Sequence, residues 1–173
     1  MDLDFDSILA NIFLAIRTRL ATLPELKFID QDLGQLEFDE GDMNPVRFPC
    51  SLIDLVEVRY SDNIRNSQQG EGILELRLGV AAYAAATHYY TKNSHTENAL
   101  EYYNLEHRVN KLLHGWSDDR FFNPLNRRST RTERRKDNVR VRVLAYAFGF
   151  VDNTAKEVRH ATPRPDQEID TAA

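Results

Sequence analysis

The chain predicts an α+β fold: a twisted antiparallel β-sheet with two α-helices packed on one face, a projecting basic hairpin and an extended C-terminal arm. Three observations carry this. From Leu74 the residues alternate, with Leu74, Leu76, Leu78, Val80 and Ala82 on one side and Glu75, Arg77, Gly79, Ala81 and Tyr83 on the other. A period of two marks a strand with one buried and one wet face. Two other segments repeat apolar residues at helical spacing, and they alternate along the chain with the strand-like runs, an order that suits helices laid on an antiparallel sheet.

The first helix is expected from a cap at Asp6 or Ser7 to about Ala21, with Ile8, Leu9, Ile12, Phe13, Ile16 and Leu20 as its apolar stripe. Phe28–Phe38 reads as a weak strand-turn-strand around Gly34. Asn44-Pro45 and Pro49 frame a turn before a strand over Cys50–Tyr60. Its apolar residues change phase, with Leu52, Val56 and Val58 against Ile53 and Leu55, so burial on both faces or a bulge near Asp54 is predicted. Ser61–Gln69 is a polar hairpin tip, and the long alternating strand of Gly70–His88 follows as the centre of the sheet.

Ser94 with Glu97 forms a capping box that opens a second helix, ended by Gly115, with Ala99, Tyr102, Leu105, Val109, Leu112 and Leu113 inward. Trp116 is expected to fold back over that helix end. Leu125–Glu133 lacks an apolar face and reads as an edge or projecting strand, Arg134–Asn138 as its turn. Val139–Phe150 returns with Val139, Val141, Val143 and Ala145 inward, Arg140 and Arg142 outward, then Tyr146, Phe148 and Phe150. From Asp152 periodicity is lost, which divides the chain into a domain over 1–151 and an arm over 152–173 that something outside the domain holds.

Length and apolar content fit one core, with 173 residues and 42% hydrophobic. The net charge of -5 argues against nucleic-acid binding by the chain as a whole. The single Cys50 excludes a disulfide framework and predicts a reducing compartment. The acidic start MDLDFD is unlike a signal peptide, and no apolar run reaches the ~20 residues of a membrane helix. A soluble protein made in a cytoplasm is expected.

Catalytic and metal patterns are missing from the residues. Cys50 has neither a neighbouring histidine nor a helix N-terminus to activate it. His107 and His114 stand two turns apart on one helix, and the H-E-x-x-H, C-x-x-C and Walker A patterns do not occur. Gly70-Glu71-Gly72 leads into a strand rather than a helix, so it does not cradle phosphate. No enzyme, cofactor or metal site is predicted.

Charge is concentrated in two places. Asp30, Asp32, Glu37, Asp39, Glu40 and Asp42 put six acids in thirteen residues without a base. Counted from Asp30 as an EF-hand loop, Gln35 and Gly41 occupy the positions that need Gly and Glu, so the calcium pattern fails and a solvated acidic loop is expected. Arg127, Arg128, Arg131, Arg134, Arg135, Lys136, Arg140 and Arg142 put eight bases in sixteen residues, against Glu133 and Asp137. Such a ribbon could follow a phosphate backbone, dock on acidic protein surface, including the acidic loop of an adjacent copy, or be a solvated face.

Gly115-Trp116, Phe122-Asn123-Pro124-Leu125, Arg128, Asp137 to Val143 and Tyr146 resemble a pattern in small proteins encoded in tail-gene clusters of long-tailed phages and prophages. Over residues 5–150 the layout is similar to the tail-terminator, or tail-completion, family. That resemblance implies a homo-oligomeric ring, usually a hexamer, at the head-proximal end of the tail. It would stop tail-tube polymerisation, touch the tail-tube protein and the head-completion proteins of the neck, and let DNA pass without specific binding. The implied location is the virion, after assembly in the bacterial cytoplasm. The basic hairpin and the acidic residues Asp30, Asp32, Glu37, Asp39 and Glu40 would then lie at subunit or partner joints, since a ring contact joins two different surfaces. The alternatives are another neck component or a nucleic-acid-binding module using the arginines.

Overall fold

A computed structural model describes residues 5–37, 46–81, 92–135 and 139–156, with the backbone alone for 92–100. The order is α1 (Ile8–Leu20), β1 (Phe28–Gln31), β2 (Cys50–Asp62), β3 (Gln68–Ala81), α2 (Lys92–Leu113), β4 (Asn126–Glu133) and β5 (Val139–Asp152). The five strands form one sheet in the order β1-β2-β3-β5-β4, which is an α+β fold.

Ser7 caps α1, its hydroxyl accepting from the Ala10 N–H. Ile12, Ile16 and Leu20 of α1 and Leu105, Val109 and Leu113 of α2 are buried on the same side of the sheet. There they meet Ile53, Leu74, Leu76, Leu78, Leu144, Tyr146, Phe148 and Phe150, so the main core lies between helices and sheet. Both helices therefore sit on one face. Gly115, with φ of 78°, stops α2, and its N–H donates to Leu125 O at 2.8 Å. Trp116 folds back as expected, with its N–H on Leu113 O at 3.0 Å and its ring edge-on to Phe122.

β3 holds the centre, pairing antiparallel with β2 and β5. The sheet is nevertheless mixed, because β1 pairs parallel with β2 from Phe28↔Cys50 to Gln31↔Ile53. Parallel neighbours need a crossover of a dozen or more residues, and the stretch 32–49 supplies it. The expected return strand before Phe38 is not formed. Leu33–Glu37 turns instead, through Gly34 at φ of 80° and a Glu37 N–H to Gly34 O bond of 2.8 Å.

The phase change in β2 is a bulge between Leu55 and Glu57. It keeps Ile53, Leu55 and Val58 on the helix face while Cys50 and Leu52 face the other way. α2 begins at Lys92, so Ser94 lies inside it rather than at its cap. Of the two readings for Leu125–Glu133 the edge holds and the projecting strand does not: β4 pairs with β5 from Asn126↔Ala147 to Glu133↔Val141 and forms the sheet edge. β5 runs on to Asp152, one residue past the expected domain limit. Expectations for residues 38–45, 82–91 and 136–138 and for the arm over 157–173 lie outside the described residues.

Tyr146 is fully buried, and its hydroxyl donates to Asn110 Oδ1 at 3.2 Å, tying β5 to α2. Burial raises its pKa, so it remains a neutral donor. Tyr146→Phe should cost about 1 kcal/mol by leaving Asn110 short of a partner. A urea midpoint lowered at unchanged slope is the check.

Candidate functional site

The arginines divide between the two faces by strand parity. Arg140 and Arg142 share the phase of Leu144 and Tyr146, so both start from the helix face; Arg140 is exposed at its margin, as expected, whereas Arg142 is largely withdrawn from solvent under α2. Val141 and Val143 are buried as expected, but on the opposite face. Arg142 Nε meets the buried carboxylate of Glu106 at 2.7 Å, and its Nη1 reaches Thr132 Oγ1. Arg127 Nη1 approaches Glu106 at 3.8 Å. Arg140 lies over the Tyr102 ring, 4.4 Å from its centroid, and Arg142 lies 5.5 Å from that of Tyr103.

The opposite face carries a second, smaller core of Leu36, Val46, Cys50, Leu52, Val141 and Val143. Arg77 sits at its margin with a side chain only 13% exposed. It reaches Asp32 Oδ2 at 3.1 Å, Glu37 Oε1 at 2.5 Å and Glu133 Oε1 at 2.9 Å. Arg135 joins Glu133 at 2.9 Å and Glu37 at 3.5 Å, and also donates to the carbonyl of Leu36. Burial pushes the Glu133 carboxyl upward, but hydrogen bonds and charge from Arg77 and Arg135 outweigh it and hold it below its ordinary value. Three carboxylates and two guanidiniums thus fasten the Asp32–Glu37 turn to β3 and to the far edge of the sheet.

Members of the acidic loop and of the basic hairpin therefore meet inside one chain. Asp32, Glu37 and Arg135 are engaged there. Arg131 pairs with Glu75 at 3.1 Å while keeping 57% of its side chain exposed. Asp30 is exposed, and its Oδ1 accepts from the Gln31 N–H. Arg128, the extra residue of a bulge in β4, and Arg134 are exposed and have no carboxylate partner among the described residues. Asp39 and Glu40 lie outside the described residues.

Arg77, Glu75 and Glu106 were not among the expected site residues. The signal for Arg77 was present: a lone guanidinium in the centre of a strand whose neighbours are leucines. A second feature, also not expected, is an open cleft of about 490 Å³ on the uncovered part of the second face, lined by Glu57, Arg59, Glu71, Asn123, Asn126 and Arg128. Glu57 and Arg59, side by side on β2, pair at 2.7 Å along one wall, and Glu71 and Arg128 add one charge of each sign.

Burial pushes the Cys50 thiol up to about 11, which keeps it protonated and unreactive at neutral pH. Among the described residues no group of three or more His, Cys, Asp or Glu could hold a metal ion, and no helix is long and apolar enough to cross a membrane. The surface the arrangement leaves open is the β4 edge with Arg128, Arg131 and Arg134. No protein-family model matches the chain, and no curated protein sequence does either.

Proposed function

We propose that this chain is a structural, non-catalytic virion protein that forms a ring, such as a hexamer, at the head-proximal end of a long phage tail. The ring ends tail-tube polymerisation and offers a seat to head-completion proteins, with DNA passing through its lumen unread. The observation that carries this reading is the pair of unlike sheet edges. One is β1, four residues long and parallel to its neighbour; the other is β4, eight residues long and arginine-rich. Two different lateral surfaces on one rigid body are what a closed head-to-tail ring requires.

The internal pairing of Arg127, Arg131, Arg135 and Arg142 also weighs for a structural role over duplex binding, because paired guanidiniums release fewer counterions on meeting phosphate. The test is mass. Light scattering of the purified chain, alone and with tail tubes from the genome that carries its gene, should give a multiple of 20.0 kDa near six. A chain that stays monomeric beside those tubes rules the reading out. Duplex DNA binding that weakens steeply with salt and is lost on charge reversal of Arg128 and Arg134 would replace it with the nucleic-acid alternative.

A further inference from the structure

β4 has one hydrogen-bonded neighbour, β5, so half of its backbone N–H and C=O groups face outward among the described residues. A free edge of this length is a template for another strand. Its sequence, NRRSTRTE, has no apolar side chain, so charge must select what pairs with it. Arg128 and Arg134 stand exposed, and Arg131 is more than half exposed beyond its contact with Glu75.

A complement lies in the same polypeptide. Asp166, Glu168 and Asp170 recur every second residue, and no proline follows Pro165. In an extended conformation their three carboxylates fall on one side, about 7 Å apart. We propose that the 166–171 segment of one copy adds as an antiparallel sixth strand to β4 of a neighbouring copy. This rests on the ring reading above and names the device that joins its subunits.

Reach favours the neighbour over the chain's own edge. An antiparallel partner for β4 enters at the Glu133 end, level with Val141. The chain leaves β5 at Asp152 and turns at once, the Lys156 N–H bonding Asn153 O at 3.0 Å. From Asp152 to the level of Val141 is about 37 Å along the strand, and two strand spacings add about 10 Å sideways. The ten residues from Lys156 to Asp166 span at most about 36 Å when fully extended. To set six residues against its own β4 from Arg131 onward, level with Val143, the linker would have to be drawn out almost straight, whereas a neighbour's edge carries no such limit.

Cysteine pairing tests this. One protein carries Ser129→Cys or Thr130→Cys, one for each face of β4; a second carries Gln167→Cys, Ile169→Cys or Thr171→Cys. Each retains the buried Cys50. Mixed and oxidised under the conditions of the mass measurement, they should give a covalent dimer at twice 20.0 kDa that neither gives alone. Charge reversal at Asp166, Glu168 and Asp170 together should cut its yield about tenfold. A bridge between two chains that both carry Ser129→Cys, or a bridge within a single doubly substituted chain, overturns the proposal. A ring that forms without any mixed bridge removes the arm and leaves the ring; a monomer without bridges removes both.

Discussion

Arg77→Leu should lower the stability of the folded chain by about 3 kcal/mol, the largest single effect expected outside the main core. Removing one member of a poorly solvated ion network strands its partners, and such losses run to about 3–5 kcal/mol. Here the value belongs at the low end, because Glu37 is 59% exposed and water can take over its charge. Asp32 at 13% and Glu133 at 24% cannot be so relieved. Arg77→Lys keeps the charge but loses the fork that serves three carboxylates at once, so it should recover only part of the loss. Arg131→Leu, which breaks an exposed pair, should change stability by no more than about 0.5 kcal/mol.

The pH dependence gives the same variant a second readout. Glu133 is held below its ordinary value in the folded chain, so its contribution is complete above the unfolded value, about 4.3, and fades as pH falls through the folded one. The gap between the parent chain and Arg77→Leu should accordingly be widest near neutrality and narrow below about pH 4. Urea titrations at both pH values check this. A gap that widens in acid would show that Arg77 stabilises by packing and not through its carboxylates.

Gly70→Ala and Gly72→Ala should each cost about 2 kcal/mol, and Phe150 and Phe148 are the reason. A methyl group at Gly70 would run into the Phe150 ring, and one at Gly72 would come within 2.5 Å of Phe148 Cζ. The rings cannot easily give way: both are buried and they stack on each other, with Tyr60 edge-on to Phe150 at 5.8 Å. In a chain of this size the loss corresponds to a fall of roughly 4–8 °C in melting temperature. Adding Phe150→Leu to Gly70→Ala should restore part of it. Gly149→Ala, whose new methyl would meet Asn123 Nδ2 at 3.3 Å, is the milder comparison.

Much of this architecture could be read from residues, because burial leaves a periodic trace. Leu74, Leu76 and Leu78 announced β3, Ser7 and Gly115 announced the two helix ends, and the mixed phase of Leu52, Ile53, Leu55 and Val58 announced the bulge. Strand direction left no such trace. Phe28–Gln31 is too short to carry a pattern, and its parallel pairing with Cys50–Ile53 is a long-range choice that no local spacing records. Side-chain orientation failed at Arg142 for a related reason. Both faces of β5 are covered there, so Val141, Val143 and Arg142 all find shelter and polarity no longer tells inside from outside, whereas Arg140 stays exposed as expected. The glycines at 70 and 72 opened the expected strand without a stated role, and they are seats for aromatic rings on the adjacent strand.

The charged candidates were legible as composition but not as geometry. Glu37 and Arg135 are far apart in sequence, and only the fold makes them neighbours. Along the β4 edge, Arg128, Arg131 and Arg134 are a smaller and more specific outward set than eight bases in a row.

The carboxylates gathered by Arg77 come from the turn after β1 and from β4, the two margins of the sheet. That guanidinium is thus a tie-beam across the whole width of the protein, resisting any change in twist between its flanks. In an annulus of identical parts the angle between flanks dictates how many parts complete the circle. In the proposed ring, a side chain held within one subunit would in this way govern the stoichiometry of the circle.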